Sequence, residues 1–293
     1  EFGSVYLIDE DKKALIDTGP TPSAGFVLDG LKELGVSPGD IDYIVITHIH
    51  LDHGGGAGFL VKNMPEARVL VHQRGARHLV DPSRLVSSAL AAQGQVEETT
   101  VKNTEVLPIA AERVTAVRDG DTIELGGKQS LRIIEAPGHA PHELCVHESR
   151  NNGIFTGDAA GICLGEHKSL TMVNAPPSFD LELSGATIEK LLRLQASRIY
   201  YSHFGMTTEV QTKLQWSMDT LYAWNDITSQ TLSENRFADA AERLTARACA
   251  ALEPLRERWP ALYDYMAKHD VPMSIDGFLN YYREKHGVRQ MEG

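Results

Sequence analysis

The sequence predicts a layered α/β domain, in which two β-sheets pack together with helices outside, followed by a helical C-terminal region. Short apolar runs alternate with helical periodicity up to residue 201, and turn residues separate them. No convincing strand pattern remains beyond residue 206. Strands and helices mixed along one chain are typical of sheets covered by helices. We therefore expect an α/β domain over residues 1–206 and a helical region over residues 207–293.

The elements of the first half follow from apolar spacing and turn residues. Polar residues between the first two apolar runs predict a hairpin, and leucines on one face followed by Gly35 predict a helix that ends there. We expect strands at residues 5–8, 14–17, 41–46 and 68–71, and helices at 22–35 and 56–63. Residues 73–110 show the weak periodicity of helices and loops.

The second half begins with strands and ends with helices. An apolar stripe along residues 237–252 predicts that one face of the tail is buried. We expect strands at residues 114–117, 122–125, 131–135, 144–147, 153–156 and 198–201. Helices are expected at residues 182–196, 208–231, 234–258 and 261–269.

Composition and charge exclude several classes of function. The formal net charge is −12, which argues against nonspecific nucleic-acid binding. No apolar run approaches the roughly 20 residues that span a bilayer. Cys145, Cys163 and Cys249 are too few and too scattered for a disulfide framework, which indicates reduced thiols in the cytoplasm. We expect a cytoplasmic protein with a small-molecule substrate, and the apolar tail is compatible with a homodimer.

The heptapeptide T-H-I-H-L-D-H at residues 47–53 is the most informative feature of the chain. It follows a predicted buried strand and precedes a glycine-rich turn, so imidazole and carboxylate ligands are concentrated at a strand end. Such nitrogen and oxygen ligands suit zinc, iron or manganese. His48 and His50 would face one side of an extended segment, whereas Asp52 and His53 would point apart. This arrangement favours two neighbouring metal positions.

Further candidate ligands follow other predicted strands. His139, Asp158 and His203 each come at or just after the carboxyl end of a strand. His142 competes with His139, because both flank Pro141; Asp158 could instead be a turn residue and His203 an exposed loop residue. Asp17 could cap a turn, but we favour a hydrogen bond from it that orients the histidine loop.

The motifs T-H-x-H-x-D-H, P-G-H, T-G-D and S-H-F-G, in this order, resemble those of the metallo-β-lactamase-fold hydrolase superfamily. The pattern is most similar to its dinuclear branch, which includes glyoxalase II, related thioesterases and lactonases. The resemblance covers residues 4–206 and implies a four-layered αββα sandwich. It also implies a catalytic domain at residues 1–206, with the helical region 207–293 packed near the active site.

The resemblance also implies a ligand set for two divalent metal ions. One ion would be held by His48, His50 and His139, the other by Asp52, His53 and His203, with Asp158 bridging both. Asp52 and Asp158 are the implied catalytic residues, and the first histidine of the P-G-H motif, His139, is preferred over His142. Zinc is the favoured metal, with iron and manganese as alternatives.

The implied activity is hydrolysis by a metal-bridging hydroxide. A thiolate leaves without an acid, and the sequence offers no evident proton donor, so an acyl thioester is favoured over a lactone or another ester. One alternative is an iron-dependent oxidoreductase similar to persulfide dioxygenases. Another is a regulatory or binding protein that retains its metal site.

Substrate choice is expected to depend on residues 80–110 and 162–183, which carry no motif of the family. Met172, Pro176, Pro177 and Phe179 could form an apolar pocket for an acyl group. The alternative is that these side chains only pack against the helical tail.

Overall fold

The computed structural model describes residues 3–92, 105–163, 171–203 and 205–287, which fold as two units. The first unit contains residues 1–136, 142–157 and 197–204, and the second contains residues 137–141, 158–196 and 205–293. The second unit thus includes residues 158–196 together with the C-terminal helices. Separate domains at 1–206 and 207–293 stay a prediction.

The strands, in chain order, are β1 (Tyr6–Ile8), β2 (Lys13–Ile16), β3 (Ile41–Val45), β4 (Arg68–His72), β5 (Val114–Val117), β6 (Thr122–Gly126), β7 (Gln129–Glu135), β8 (Leu144–Glu148), β9 (Gly153–Phe155), β10 (Ile162–Cys163), β11 (Thr171–Met172), β12 (Arg198–Tyr201) and β13 (Gly205–Thr207). The α-helices are α1 (Ala24–Glu33), α2 (Leu51–Gly54), α3 (Ala57–Asn63), α4 (Gln73–Val80), α5 (Ser83–Ala92), α6 (Leu181–Arg193), α7 (Val210–Ser233), α8 (Asp239–Arg258), α9 (Pro260–Tyr265) and α10 (Val271–His286).

The first unit contains two sheets that share a core. One sheet has the order β1-β2-β3-β4-β5, in which β1 is antiparallel to β2 and the other pairs are parallel. The other has the order β12-β9-β8-β7-β6, with a parallel β12–β9 pair and antiparallel neighbours elsewhere. Apolar side chains from both sheets form one buried cluster that includes Ile16, Val45, Leu131 and Val146. The predicted α/β sandwich of two packed sheets is confirmed, and both sheets contain parallel and antiparallel pairs.

Helices cover the other face of the first sheet. Leu31 of α1 and Leu60 of α3 are buried in a second apolar cluster with Ile44 and Val69 of the sheet. A Cβ on Gly58 would lie 2.0 Å from the Leu107 carbonyl oxygen. The glycine run after the histidine loop therefore allows close packing of α3 as well as a tight turn.

The second unit is mainly helical. Ring contacts join Phe179 to Phe278, with centroids 5.5 Å apart, and Phe278 to Trp224, with centroids 5.4 Å apart. Met266–Asp270 forms a π-helical turn between α9 and α10. Among the described residues, no helix combines the length and the apolar character needed to cross a bilayer.

The tail differs from expectation at three places. Helix α8 begins at Asp239 rather than at residue 234, because Asn235 adopts a left-handed φ of 56° after the end of α7. The short strand β13 extends to Thr207, just past the last strand expected. Helix α10 lies beyond residue 269, where the last expected helix ended, and it contains two residues that are unfavourable in helix interiors, Pro272 and Gly277.

Both residues nevertheless suit α10. Pro272 lies in the first turn, where its missing N–H would have no helical partner. A Cβ on Gly277 would lie 1.8 Å from the Ala175 carbonyl oxygen, so glycine is required by packing.

Candidate metal centre

The histidine loop changes from extended to helical conformation at His50. The amides of His53 and Gly54 donate to the His50 carbonyl, at 3.0 and 2.9 Å, and α2 starts at Leu51. Asp52 and His53 therefore lie on a helical turn. The expectation that their side chains point apart is wrong, since Asp52 Oδ2 lies 3.4 Å from His53 Nε2.

Asp52, His53 and His203 form a cluster of three potential metal ligands in the first unit. His203 Nε2 lies 3.5 Å from the same Asp52 oxygen, and the three ligand atoms all lie within 4.8 Å of one another. Both histidines are buried, whereas the Asp52 side chain is 50% exposed. One carboxylate with two imidazoles is a donor set that fits zinc, iron or manganese.

The electrostatic environment keeps Asp52 ionised. Desolvation raises the pKa of its carboxyl group, but the adjacent imidazoles of His53, His203 and His50 lower it by more. The resulting pKa of Asp52 lies well below its ordinary value. Asp52 therefore offers an anionic oxygen, and no proton, near neutral pH.

Asp17 holds the histidine loop by hydrogen bonds, as the sequence predicts. Its buried carboxylate accepts hydrogen bonds from the Thr47 amide at 2.8 Å and from the Ser202 hydroxyl at 2.8 Å. Its Oδ2 lies 3.0 Å from His53 Nδ1, a hydrogen-bonding contact that fixes the orientation of the ring and leaves Nε2 on the side of Asp52. The expected hydrogen bonding of Asp17 to the histidine loop is confirmed.

His48 and His50 lie beside the same cluster. The His48 ring centroid is 4.5 Å from that of His50 and 4.0 Å from that of His53. His48 is fully buried, with Nδ1 3.2 Å from the Thr47 hydroxyl and 3.7 Å from a carboxylate oxygen of buried Glu143. Polar groups on two sides therefore restrict the orientation of this imidazole.

His142 also belongs to this group of rings. Its centroid lies 5.8 Å from that of His50 and 6.3 Å from that of His48. The choice between His139 and His142 as a ligand stays a prediction and can be tested by substitution.

His139 and Asp158 lie together in the second unit. His139 Nε2 is 3.6 Å from Asp158 Oδ2, and both residues are buried. Asn174 connects them. Its backbone carbonyl oxygen lies 3.0 Å from His139 Nδ1, and its side-chain amide donates to Asp158 Oδ2 at 2.6 Å. The contact through Nδ1 leaves His139 Nε2 as the metal-binding atom.

The turn that carries His139 depends on glycine. Gly138 has a φ of 150°, and a Cβ there would lie 2.4 Å from the Ser184 hydroxyl oxygen. The Thr187 hydroxyl donates to the Pro137 carbonyl at 2.7 Å. Helix α6 thus holds this turn in place.

The predicted ligands therefore fall into two groups, each internally close. His48, His50, Asp52, His53 and His203 belong to the first unit, and His139 and Asp158 to the second. Their distribution over two metals stays a prediction. Sequence reasoning missed Ser202, Glu143 and Asn174; the serine directly precedes His203, and the glutamate follows His142, so adjacency to a candidate ligand was the available signal.

The family profile and the similar proteins that comparison finds point to the same family. The profile of the Metallo-beta-lactamase superfamily matches residues 1–203. A metallo-beta-lactamase fold-containing protein of Sulfurisphaera tokodaii is 28% identical over 214 residues, covering 71% of this chain and 75% of that protein. The human protein named acyl-coenzyme A thioesterase MBLAC2 is 28% identical over 117 residues, covering 39% of each chain.

A solved structure extends the likeness to the helical tail. A metallo-beta-lactamase family protein from Thermus thermophilus matches with a TM-score of 0.64 and 24% identity, covering 97% of this chain and 89% of that one. At this identity the likeness shows the fold alone.

Proposed function

The chain belongs to the metallo-β-lactamase superfamily, and from that premise we propose that it is a metal-dependent hydrolase of an acyl thioester or a related ester. The observation that carries the proposal is the convergence of Asp52, His53 and His203 in front of Asp17. We assign these three residues to one metal and His48, His50 and His139 to a second, with Asp158 shared, following the family pattern. Zinc is the favoured ion.

The donor groups fit a divalent cation. Two of the imidazoles are held through Nδ1, His53 by Asp17 and His139 by the backbone carbonyl of Asn174, which leaves Nε2 of each for a metal. When bound, divalent ions at such donors lower the pKa of a water molecule toward neutrality and polarise a carbonyl oxygen.

Asp52 has the position and charge to orient an attacking water. Its Oδ2 faces His53 and His203, while half of its side chain is exposed to solvent. Since the low pKa of Asp52 keeps it anionic, its Oδ1 can accept a hydrogen bond from water but cannot protonate a leaving group. This favours a leaving group that needs no proton.

A thiolate meets that requirement near neutral pH, which supports a thioester over an amide or an alkyl ester. The tyrosines nearest in sequence to His203 do not offer an alternative acid: Tyr201 is buried, and Tyr200 stacks on Phe155 with centroids 4.5 Å apart. The name of the MBLAC2 relative gives independent support for acyl-thioester chemistry.

A substrate panel tests the proposal. Protein loaded with zinc, iron or manganese is assayed against acyl thioesters, lactones, β-lactams and phosphodiesters, and we expect thioesters to be hydrolysed fastest. Asp52→Asn should lower kcat/KM by about 10²–10⁴-fold. The matched control Asp29→Asn removes an exposed carboxylate of α1 in the same unit and should leave kcat/KM unchanged. Absence of turnover on the whole panel would refute the proposal.

A further inference from the structure

Lys213 is a buried cation of the second unit that the proposed chemistry does not use. It lies in the first turn of α7 and is 2% exposed, and among the residues that the structure describes it is the only buried lysine. Lys13, by contrast, is partly exposed and pairs with Asp9. Burial takes the ammonium group of Lys213 out of water, which is unfavourable unless another group compensates its charge.

The ammonium group of Lys213 is in contact with an aromatic ring rather than with an acid. Its Nζ lies 4.4 Å from the centroid of the Trp216 ring, one turn further along α7. Within the described part of the chain, it has neither a carboxylate partner nor a hydrogen-bond acceptor. An indole ring attracts a cation, but this attraction replaces only part of the lost hydration. The Lys213–Trp216 pair therefore holds one positive charge that an anion could neutralise.

The pair lies close to the candidate ligand Asp158. Ser217 follows Lys213 by four positions, so both residues lie on one face of α7, with Cβ atoms about 5–6 Å apart. Ser217 Oγ lies 2.6 Å from the carbonyl oxygen of Ala160, in the turn that follows Asp158. Asp158 and Ser217 also line one small cavity. A substrate that reaches Asp158 can therefore extend along this face of α7 toward Lys213.

We propose that Lys213 binds a carboxylate group of the substrate and that Trp216 holds the ammonium group in place for it. The inference rests on the proposed function and names the substrate class, an acyl thioester or related ester that carries a carboxylate besides the bond that is cleaved. One lysine supplies a single charge and three donors, which match one carboxylate, whereas a phosphate dianion would leave one charge unbalanced. Because the net charge of −12 disfavours anions in general, a single buried cation can select a substrate by its carboxylate.

Matched substrates with and without the carboxylate test the proposal. Glutaryl and pentanoyl thioesters of N-acetylcysteamine differ by a terminal carboxylate in place of a methyl group. Pentanoyl thioesters of N-acetylcysteine and N-acetylcysteamine differ by a carboxylate on the thiol part. We expect kcat/KM to be at least tenfold higher for the acidic member of one pair, which shows whether the acyl or the thiol part carries the carboxylate. Acidic members that are hydrolysed no faster in either pair would overturn the proposal.

Substitution of Lys213 by methionine removes the charge and retains most of the side-chain volume. Lys213→Met should lower the acidic-to-neutral ratio of kcat/KM at least tenfold. The control Lys268→Met makes the same change at an exposed lysine of the second unit and should leave this ratio unchanged. Thermal melting checks that both variants fold. An equal loss of kcat/KM on acidic and neutral substrates in Lys213→Met would indicate a structural role and contradict the proposal.

Binding of non-hydrolysable thioethers separates this inference from the proposed function. The probes are S-pentyl-N-acetylcysteamine and S-(4-carboxybutyl)-N-acetylcysteamine, measured by calorimetry on the metal-free full chain, so that no metal ion holds the carboxylate. Tighter binding of the acidic probe that Lys213→Met abolishes, without turnover of any thioester, would support the carboxylate site and refute the hydrolase. Turnover of thioesters without preference for the acidic compound in either assay would support the hydrolase and refute the carboxylate site.

Discussion

Replacing Asp17 with asparagine should weaken metal binding without disturbing the backbone. Asp17 has a left-handed φ of 60°, a conformation that asparagine tolerates better than most residues. The amide can still accept from the Thr47 amide through Oδ1, but its NH₂ group cannot accept from His53 Nδ1 or from the Ser202 hydroxyl. The substitution therefore removes the charge-assisted contact that holds His53.

The expected loss follows from that one contact. Replacing the hydrogen-bonding partner of a metal-ligating histidine lowers metal affinity by about 10–100-fold, which corresponds to about 1.4–2.7 kcal/mol. Zinc affinity is measured by competition with a chromogenic chelator, and unfolding of the metal-free protein is measured in parallel.

Glu148→Gln is the matched control for this experiment. Glu148 is an equally buried carboxylate of the same unit, and it accepts from the amides of Asn151 and Gly153 rather than from a candidate ligand. We expect it to lower stability while leaving zinc affinity unchanged. If Asp17→Asn retained zinc affinity within threefold, or if both variants lost it equally, the argument that Asp17 orients His53 would be wrong.

Three other predictions concern ligand choice, packing and pH. His139→Ala should lower the metal content of the purified protein, whereas His142→Ala should preserve it; elemental analysis that gives the reverse would exchange the two assignments. Gly277→Ala should lower the free energy of unfolding by about 1–3 kcal/mol, because the added Cβ would meet the Ala175 carbonyl. Gly185→Ala, on α6 where the space is open, should raise the free energy of unfolding by about 0.5–1 kcal/mol. Both changes are measured by denaturant titration. Burial raises the pKa of Tyr6 to about 12, so its neutral phenol stabilises the fold fully below pH 10 and that contribution is lost as pH rises through 12. The stability difference between wild type and Tyr6→Phe should therefore shrink over this range, by at most about 2.7 kcal/mol, and a constant difference would count against the assignment.

Local patterns in the sequence were sufficient for most strands and for the residue types of the site. Residues 198–201 and 114–117 were expected as strands, and β12 and β5 have these bounds. The contact from Asp17 to the histidine loop was also anticipated, because a carboxylate at one strand end can reach the loop at the next.

Features that depend on distant contacts were not predictable. Helix α10 contains Gly277, and a glycine is needed there only because the backbone of Ala175, about a hundred positions earlier, packs against it. Asn174 carries no motif, and its role arises only when the chain folds back on His139. The contact between Asp52 and His53 depends on where the loop becomes helical. The helical turn begins after His50, because the His50 carbonyl accepts from the amides of His53 and Gly54.

Of the residues predicted near the substrate, Phe179 lines a small cavity beside His139 and also packs on Phe278 of the tail, so both alternatives stay open for that side chain. Pro176 and Pro177 are not part of the lining. Residues 93–104 and 164–170, which belong to the segments expected to select the substrate, lie outside the described residues, as does the Met172 side chain.

The Asp17–Ser202 hydrogen bond has a consequence for the order of folding. It joins residues separated by 185 positions, so this support for the metal ligands forms only after β12 has joined its sheet. Closing so long a loop costs entropy before any contact offsets it, so we expect the Asp17–Ser202 contact to form late in folding. A chain truncated before residue 198, or an intermediate with only the first sheet formed, would carry the whole histidine loop and still lack His203 and the complete support of Asp17.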